Sequence, residues 1–233
     1  MNIRAIKTRV FKPDEKLIPF LEQYYRRPRE KDILVVTSKV VALAEGRVIE
    51  KWDKEKKKEI ICEESELVIP TPLASLTVKD GMVMASAGID ESNGQGSLIL
   101  LPHDSWAVAS AIRRHFCRRN KLQEFGVIIT DSRTAPLRAG ITGVALGYAG
   151  LVGLKDYRRR PDIFGRPFHF SRVDVADSLA AAAVLCMGEG NEQRPLAVIT
   201  GAPCDFSARV NRQELRISPE EDMYGPLFRA FAK

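Results

Sequence analysis

Three carboxylates in this chain stand where apolar runs give out: Asp90 after MVMASAGI, Asp131 after GVIIT, and Glu189 after the alanine-rich stretch ending in Cys186-Met187-Gly188. Asp131 is followed at once by Ser132, Arg133 and Thr134, with Arg138 close behind, so an acid, two hydroxyls and two guanidinium groups leave one strand end together. Asp90 sits in Gly88-Ile89-Asp90-Glu91-Ser92-Asn93-Gly94, a second place where acid and amide groups collect. Ser38 and Lys39 close a third apolar run, ILVVT, just before a helical pattern. A carboxylate beside a hydroxyl can hold a hard divalent cation through oxygen. Arginine forks match phosphate and carboxylate oxygens, and a polar pair between strand and helix suits phosphate. The chemistry this inventory favours is chemistry on phosphate. Each member also has an ordinary reading: Asp131 as a turn acid, Asp90 as an Asx-turn beside glycine, Glu189 as a surface residue next to a helix C-cap, and Ser38-Lys39 as any βα connection.

The elements that must carry these groups can be read in order. Alternation over 3–11 predicts a first strand, and Pro13-Asp14 reads as the N-cap region of a helix burying Leu17, Phe20, Leu21 and Tyr24. Asp32 opens the strand ILVVT, whose unbroken apolar run needs cover on both faces. The charge run KWDKEKKK at 51–58 reads as a solvated helix face or loop. Segment 63–78 is expected to be helical in part, broken at Pro70 and Pro72, and 82–87 to be a strand. LILL at 98–101 gives a short strand, and Asp104 or Ser105 caps an amphipathic helix through Val108, Ile112 and Phe116. Gly126 to Thr130 is a buried strand. After it comes a tract punctuated by Gly140, Gly143, Gly147, Gly150 and Gly153, where backbone can approach something closely; tight internal packing is the ordinary reason for such a tract. A loop over 158–167, a strand over 168–173, a buried helix over 174–186 stopped by Gly188, and a strand over 195–200 follow. The charged tail beyond reads as a short peripheral helix or arm.

With 233 residues, 45% hydrophobic and 28% charged, the chain is that of an ordinary globular protein able to bury a large core. No run of about 18 apolar residues and no signal-peptide pattern is present, so a cytoplasmic protein without a membrane partner is expected. Cys62, Cys117, Cys186 and Cys204 follow no CxxC spacing and the three histidines stand alone, which argues against zinc and for reduced thiols. The net charge of +6 clusters at RRHFCRRNK and at Arg158 to Arg160, without a groove-reading motif or aromatic platform beside it. Nucleic acid is therefore not the expected partner.

Several blocks resemble the coenzyme F420-0:gamma-glutamyl ligase family: VTSKVVALAEGRVI at 36–49, AGIDESN at 87–93, LLPHDSWAVASAIR at 100–113, GVIITDS with PLRAGITGVALGYAGL within 126–151, and VADSLAAAAVLCMGE at 175–189. The likeness spans residues 33–202, leaves 203–233 as a peripheral tail, and suggests one ligase-like unit over 1–233. AGIDESN is its most specific element. The resemblance implies an α+β fold of mixed sheets with packed helices, assembled as an intertwined homodimer. It implies a GTP-driven ligase that adds L-glutamate to a deazaflavin precursor with two divalent cations, Mg2+ or Mn2+. By position, Asp90, Asp131, Ser132 and Glu189 would be metal ligands. Ser38, Lys39, Asn93 and the segment around Gly188 would grip the nucleotide, while Arg133 and Arg138 would hold carboxylate and phosphate oxygens during catalysis.

The chain also departs from the family pattern. Leu43 stands where a lysine usually precedes Ala-Glu-Gly, the N-terminal nucleotide-contact segment is not recognisable, and the usual DTFGRPWR reads Asp131-Ser-Arg-Thr-Ala-Pro-Leu-Arg138. Parts suited to metal and phosphate are kept, and parts suited to reading the acceptor differ. A folate-type or other carboxylate acceptor therefore stands beside the deazaflavin. A non-catalytic relative that binds nucleotide or metal, and a basic nucleic-acid binder, are the competing function classes.

Overall fold

A computed structural model describes residues 1–227. In chain order the elements are β1 (Asn2–Ile6), α1 (Leu17–Tyr24), β2 (Ile33–Thr37), α2 (Ser38–Ala44), β3 (Val48–Ile49), α3 (Lys54–Glu63), β4 (Leu67–Pro70), β5 (Ser75–Lys79) and β6 (Met82–Ala85). They continue with β7 (Leu98–Ile99), α4 (Ser105–Asn120), β8 (Gly126–Thr134), β9 (Ile141–Leu151), β10 (Leu154–Asp156), β11 (Arg172–Asp174), α5 (Val175–Met187), β12 (Leu196–Thr200) and β13 (Phe206–Ser207). A six-stranded sheet in the order β1-β12-β2-β8-β9-β13 forms the centre. Among the described residues only β2 and β8 pair in parallel in this sheet; its other pairs are antiparallel. The fold is α+β with mixed sheets and packed helices.

Both faces of this sheet are covered. One face buries Leu34, Val36, Val127 and Ile129 against α1, α2 and α4, including Phe20, Val41, Ile112 and Phe116. The other buries Ile33, Val35, Ile128 and Ala197 against α5, through Leu179, Ala180 and Ala183. Double cover is why β2 and β8 read as continuous rather than alternating apolar runs. Asp104 caps α4, accepting from the Ala107 amide at 2.9 Å, and Asp174 caps α5 in the same way for Asp177.

Several expectations need correcting. The first strand stops at Ile6, and α1 is entered from Lys16 without a side-chain cap, while Asp14 takes a left-handed turn. Segment 63–78 is not helical beyond the end of α3: β4, β5 and β6 form a three-stranded antiparallel sheet there. Pro70 ends an edge strand, where its missing N–H is harmless, and β-branched residues in the run pair across the ladder. The strand expected over 168–173 is shorter and later, as β11. In the tail, a helical turn begins at 225–227, and residues 228–233 lie outside the described part.

The glycine tract is β9, and its close contacts lie within the chain. A Cβ on Gly143 would meet the Ala180 carbonyl at 2.6 Å, one on Gly147 the Trp106 amide at 2.6 Å, and one on Gly150 the Phe125 carbonyl at 2.0 Å. The glycines let α4, α5 and Phe125, just ahead of β8, approach β9, so they do not argue for close packing between two subunits. Gly150 also has φ +88, where a side chain is strained. Gly150→Ala is expected to cost at least about 3 kcal/mol, since neither the carbonyl nor the strand can yield cheaply. Urea denaturation of the purified variant checks this, and a change below about 1 kcal/mol would contradict it.

Candidate active site

The site gathers at the ends of the two parallel strands. β2 passes directly into α2, so Ser38 and Lys39 occupy the first turn of that helix. β8 does not end at Thr130 as the hydropathy suggests. A register shift between Ile129 and Thr130 marks a bulge, and the strand then runs on through Asp131, Ser132, Arg133 and Thr134, paired with Val144 to Ile141. Bulges redirect side chains, and this one separates the buried core of β8 from its polar continuation. Thr130 is buried and donates to the Val144 carbonyl at 2.9 Å.

Asp90 comes from a different part of the fold. It forms a two-way backbone bridge with Ile99, both hydrogen bonds at 2.9 Å. The three residues Ser86, Ala87 and Gly88 just before it all have positive φ, a strained run for the two non-glycine members. The Ala87 amide donates to the buried Thr77 hydroxyl at 2.8 Å, which helps to hold that turn. Glycine suits the third position because a Cβ there would lie 2.7 Å from the Leu101 side chain. Glu189 follows α5, whose last turn is closed by Gly188 with φ +83.

Together these segments line one polar cavity of about 90 Å³, with Ser38, Lys39, Asp90, Ser132, Gly188 and Glu189 in its wall and Asp131 at its floor. Lys39 Nζ lies 2.6 Å from Asp90 Oδ2 and also donates to the Ser92 carbonyl at 2.9 Å. Ser92 donates its amide and hydroxyl to the same carboxylate, at 2.6 and 3.0 Å. Ser38 lies beside the Asp131 carboxyl and Ser132 beside that of Glu189, and each hydroxyl favours the charged form of its neighbour.

The electrostatics are uneven. Burial alone would raise Asp90, but Lys39 and the two Ser92 donors outweigh it and hold that carboxyl below its ordinary range. Burial pushes Asp131 up to about 6, with the Asp90 charge adding to it against the Ser132 amide, Ser38 and Lys39. Burial likewise raises Glu189, opposed by Lys39 and reinforced by Asp90. Three carboxylates thus face one ammonium.

That imbalance tests the implied metal. The donors are all oxygen, as a hard divalent cation requires, and the raised Asp131 is a half-buried carboxylate short of positive charge. The chemistry of the residues fits. Among the described residues, however, no three His, Cys, Asp or Glu side chains are drawn close enough to ligate one ion as they stand. Lys39 holds Asp90 in the meantime.

Other expected residues are placed differently. Asn93 is outside the cavity lining, with Nδ2 at 3.4 Å from the Gly190 carbonyl, next to Glu189. Arg133 gives Nη2 to Asp177 at 3.0 Å on α5, and Arg138 lies in the exposed 135–140 segment and lines neither this cavity nor the apolar one beside it. Leu43 packs against the core beneath α2, and Leu137 is fully exposed. Ser92, to which the sequence alone assigns no role, lines the cavity and bonds both Lys39 and Asp90. Its place inside AGIDESN was the available signal, but its link to Lys39 spans 53 positions.

The comparison that decides the family covers most of the chain: the profile described as F420-0:Gamma-glutamyl ligase matches residues 5–201. The chain belongs to the F420-0:gamma-glutamyl ligase family. It is 35% identical to the coenzyme F420:L-glutamate ligase of Methanococcus maripaludis strain C7, covering 84% of this chain and 86% of that protein. The protein of the same description from Archaeoglobus fulgidus is 35% identical over 84% and 85% of the two chains. That of Methanocaldococcus jannaschii is 30% identical over 96% of each. Family membership makes this an acid–amino-acid ligase, and the polar cavity is its candidate active site. No helix among the described residues is long and apolar enough to cross a membrane.

Proposed function

We propose that this protein is a GTP-dependent, divalent-metal-dependent gamma-glutamyl ligase that joins L-glutamate to a carboxylate acceptor through an acyl phosphate. The acceptor is the deazaflavin precursor of coenzyme F420 or a folate-type molecule. The observation that carries this reading is the convergence of Lys39–Asp90, Ser38–Asp131 and Ser132–Glu189 on one cavity, in a chain of this family. Asp90, Asp131, Ser132 and Glu189 would hold the divalent cations, Mg2+ or Mn2+. Bound there, such cations would offset charge on the phosphoryl group in transfer.

The chain's own residues supply the rest. Lys39 is poised to exchange Asp90 for nucleotide phosphate oxygens, aided by Ser38 at the helix start. Gly188, in the cavity wall, and Asn93, held outside it at the Gly190 carbonyl, would hold the nucleotide. The acceptor carboxylate takes the γ-phosphoryl group and GDP leaves. The glutamate amine then attacks the acyl carbon, phosphate departs, and the nitrogen loses its proton. Arg133, in the lining of the adjoining space, would steady acceptor and phosphate oxygens while water is excluded; Arg138 lines neither space, which leaves it outside that step.

A changed acceptor is favoured by one observation. The 135–140 segment is exposed throughout, and Leu137, fully exposed, offers no flat stacking surface. The test incubates purified protein with GTP or ATP, Mn2+, L-glutamate and each acceptor in turn, and follows products by mass spectrometry. GTP-dependent addition of glutamate to either acceptor is expected. Addition to the deazaflavin precursor alone would remove the changed-acceptor reading, and no addition to any acceptor would overturn the ligase assignment.

We also read the protein as a cytoplasmic homodimer. Ile163, Phe164 and Phe170 are each more than four-fifths exposed in one segment, and Leu185 on α5 is 85% exposed. Exposed apolar side chains of this kind would suit an association surface if they lie together. Light scattering at micromolar concentration is expected to give about twice the 26.0 kDa chain mass, and a mass near 26.0 kDa would contradict it. The free cysteines, with Cys62 and Cys186 exposed, suit a reducing compartment.

A further inference from the structure

The polar cavity has an apolar neighbour, and the two share Gly88, Asp131 and Ser132. The second space, about 110 Å³, lies where β6 approaches β8 and β9. Its walls include Met82, Met84, Ile141, Val144 and Leu146, with Arg133 also in the lining. Met82 and Met84 pack on the buried cluster of Leu101, Val144 and Leu146, and remain partly accessible. Asp131 and Ser132 therefore border both a space carrying Lys39 and three carboxylates and one carrying thioethers and branched alkyl groups.

Resting on the ligase reading, the geometry points to this apolar slot as the subsite for the part of the acceptor adjoining its reactive carboxylate. A phosphoryl group can pass to that carboxylate only if the two meet, and the edge at Gly88, Asp131 and Ser132 that both spaces share is where their occupants would meet. With the carboxylate at that edge, the body behind it would extend into the adjoining space, where the lining is apolar. Methionine adapts its shape to what it packs against. Arg133 spends Nη2 on Asp177, which fixes the guanidinium at the slot without committing the whole fork.

Size sets what the slot reads. An apolar cavity of roughly 150 Å³ accepts benzene, so this smaller space holds a short aliphatic segment or the edge of one ring. A fused ring system would extend beyond the slot. The slot thus reads the segment beside the carboxylate, separately from whatever meets the rest of the acceptor.

Two variants fill the slot without touching the polar cavity: Met84→Trp from its inner wall, and Ile141→Trp from a position that is 49% exposed and safer for folding. The full-length protein is assayed with the deazaflavin precursor and with folate monoglutamate, varying acceptor and GTP separately. For any acceptor the wild type uses, both variants are expected to raise the acceptor KM at least tenfold and to keep the GTP KM within twofold. If Met84→Trp loses its native circular dichroism, Ile141→Trp alone decides. A wild type that ligates glutamate while the folded variant keeps its acceptor KM within twofold overturns the slot assignment and leaves the ligase reading standing. A wild type that neither ligates nor, by equilibrium dialysis, binds any acceptor overturns both.

Discussion

Asp131→Asn is expected to abolish metal-dependent nucleotide binding and to lower ligase turnover by at least about a thousandfold, while leaving the metal-free fold more stable at neutral pH. The two effects have one source. Asp131 is set in the polar continuation of β8, where burial and the Asp90 charge push its carboxyl to about 6, above the ordinary 3.8. The folded state therefore holds this proton more tightly than the unfolded state. Stability from this group is present below about pH 4 and is lost as pH rises to about 6. Above that, keeping the ionised carboxylate buried costs on the order of 2–3 kcal/mol. Asparagine keeps a side chain that can hydrogen-bond Ser38 and the Ser132 amide and removes the charge. With chelator present, the variant should melt higher than wild type at pH 7, with the gap closing towards pH 4. With Mn2+ and GTP the order should reverse, because wild type gains by ligand binding and the variant does not. Calorimetry showing unchanged Mn2+ and GTP affinity in a folded Asp131→Asn protein would refute the metal assignment.

Replacing Lys39 with methionine is expected to lower kcat/KM for GTP at least a hundredfold, about what is lost when one preorganised charge stabiliser is removed. Among the described residues Lys39 is the single cation in the lining of the polar cavity, 2.6 Å from Asp90. Without it the Asp90 carboxyl should rise, because its strongest opposing partner to burial is gone. The nucleotide also loses a point charge suited to phosphate. The same change frees Asp90, so Mn2+ binding in the absence of nucleotide should hold or tighten. A merely structural lysine would not split the two affinities in this way. Lys39→Arg should not restore activity, since a planar guanidinium is a poor substitute for a compact ammonium in a space of about 90 Å³. Equal losses of Mn2+ and GTP affinity, or full activity in Lys39→Met, would show that Lys39 has no phosphate role.

What was readable in the chain was local. Continuous apolar runs marked β2, β8 and β12, Asp104 marked the start of α4, and Gly188 the end of α5, because such signals depend on neighbours within a few positions. The same locality placed Asp90, Asp131 and Glu189 at the ends of apolar segments and made the family blocks recognisable. It misled where local preference was ambiguous: the prolines of 63–78 look like interruptions of a helix, but pairing with β5 and β6 makes that stretch a sheet. Residue order by itself therefore determined the α+β composition, the family and the inventory of acids, hydroxyls and cations. Only the tertiary structure decided which of them meet. Lys39 reaches Ser92 across 53 positions and Arg133 reaches Asp177 across 44. A bulge that no hydropathy pattern reveals carries β8 on past its buried core through Asp131 and Ser132, and the apolar slot exists only because β6 approaches β8 and β9. Contacts of that range are set by the packing of both sheet faces and by strand register, which belong to the whole chain rather than to any window of it.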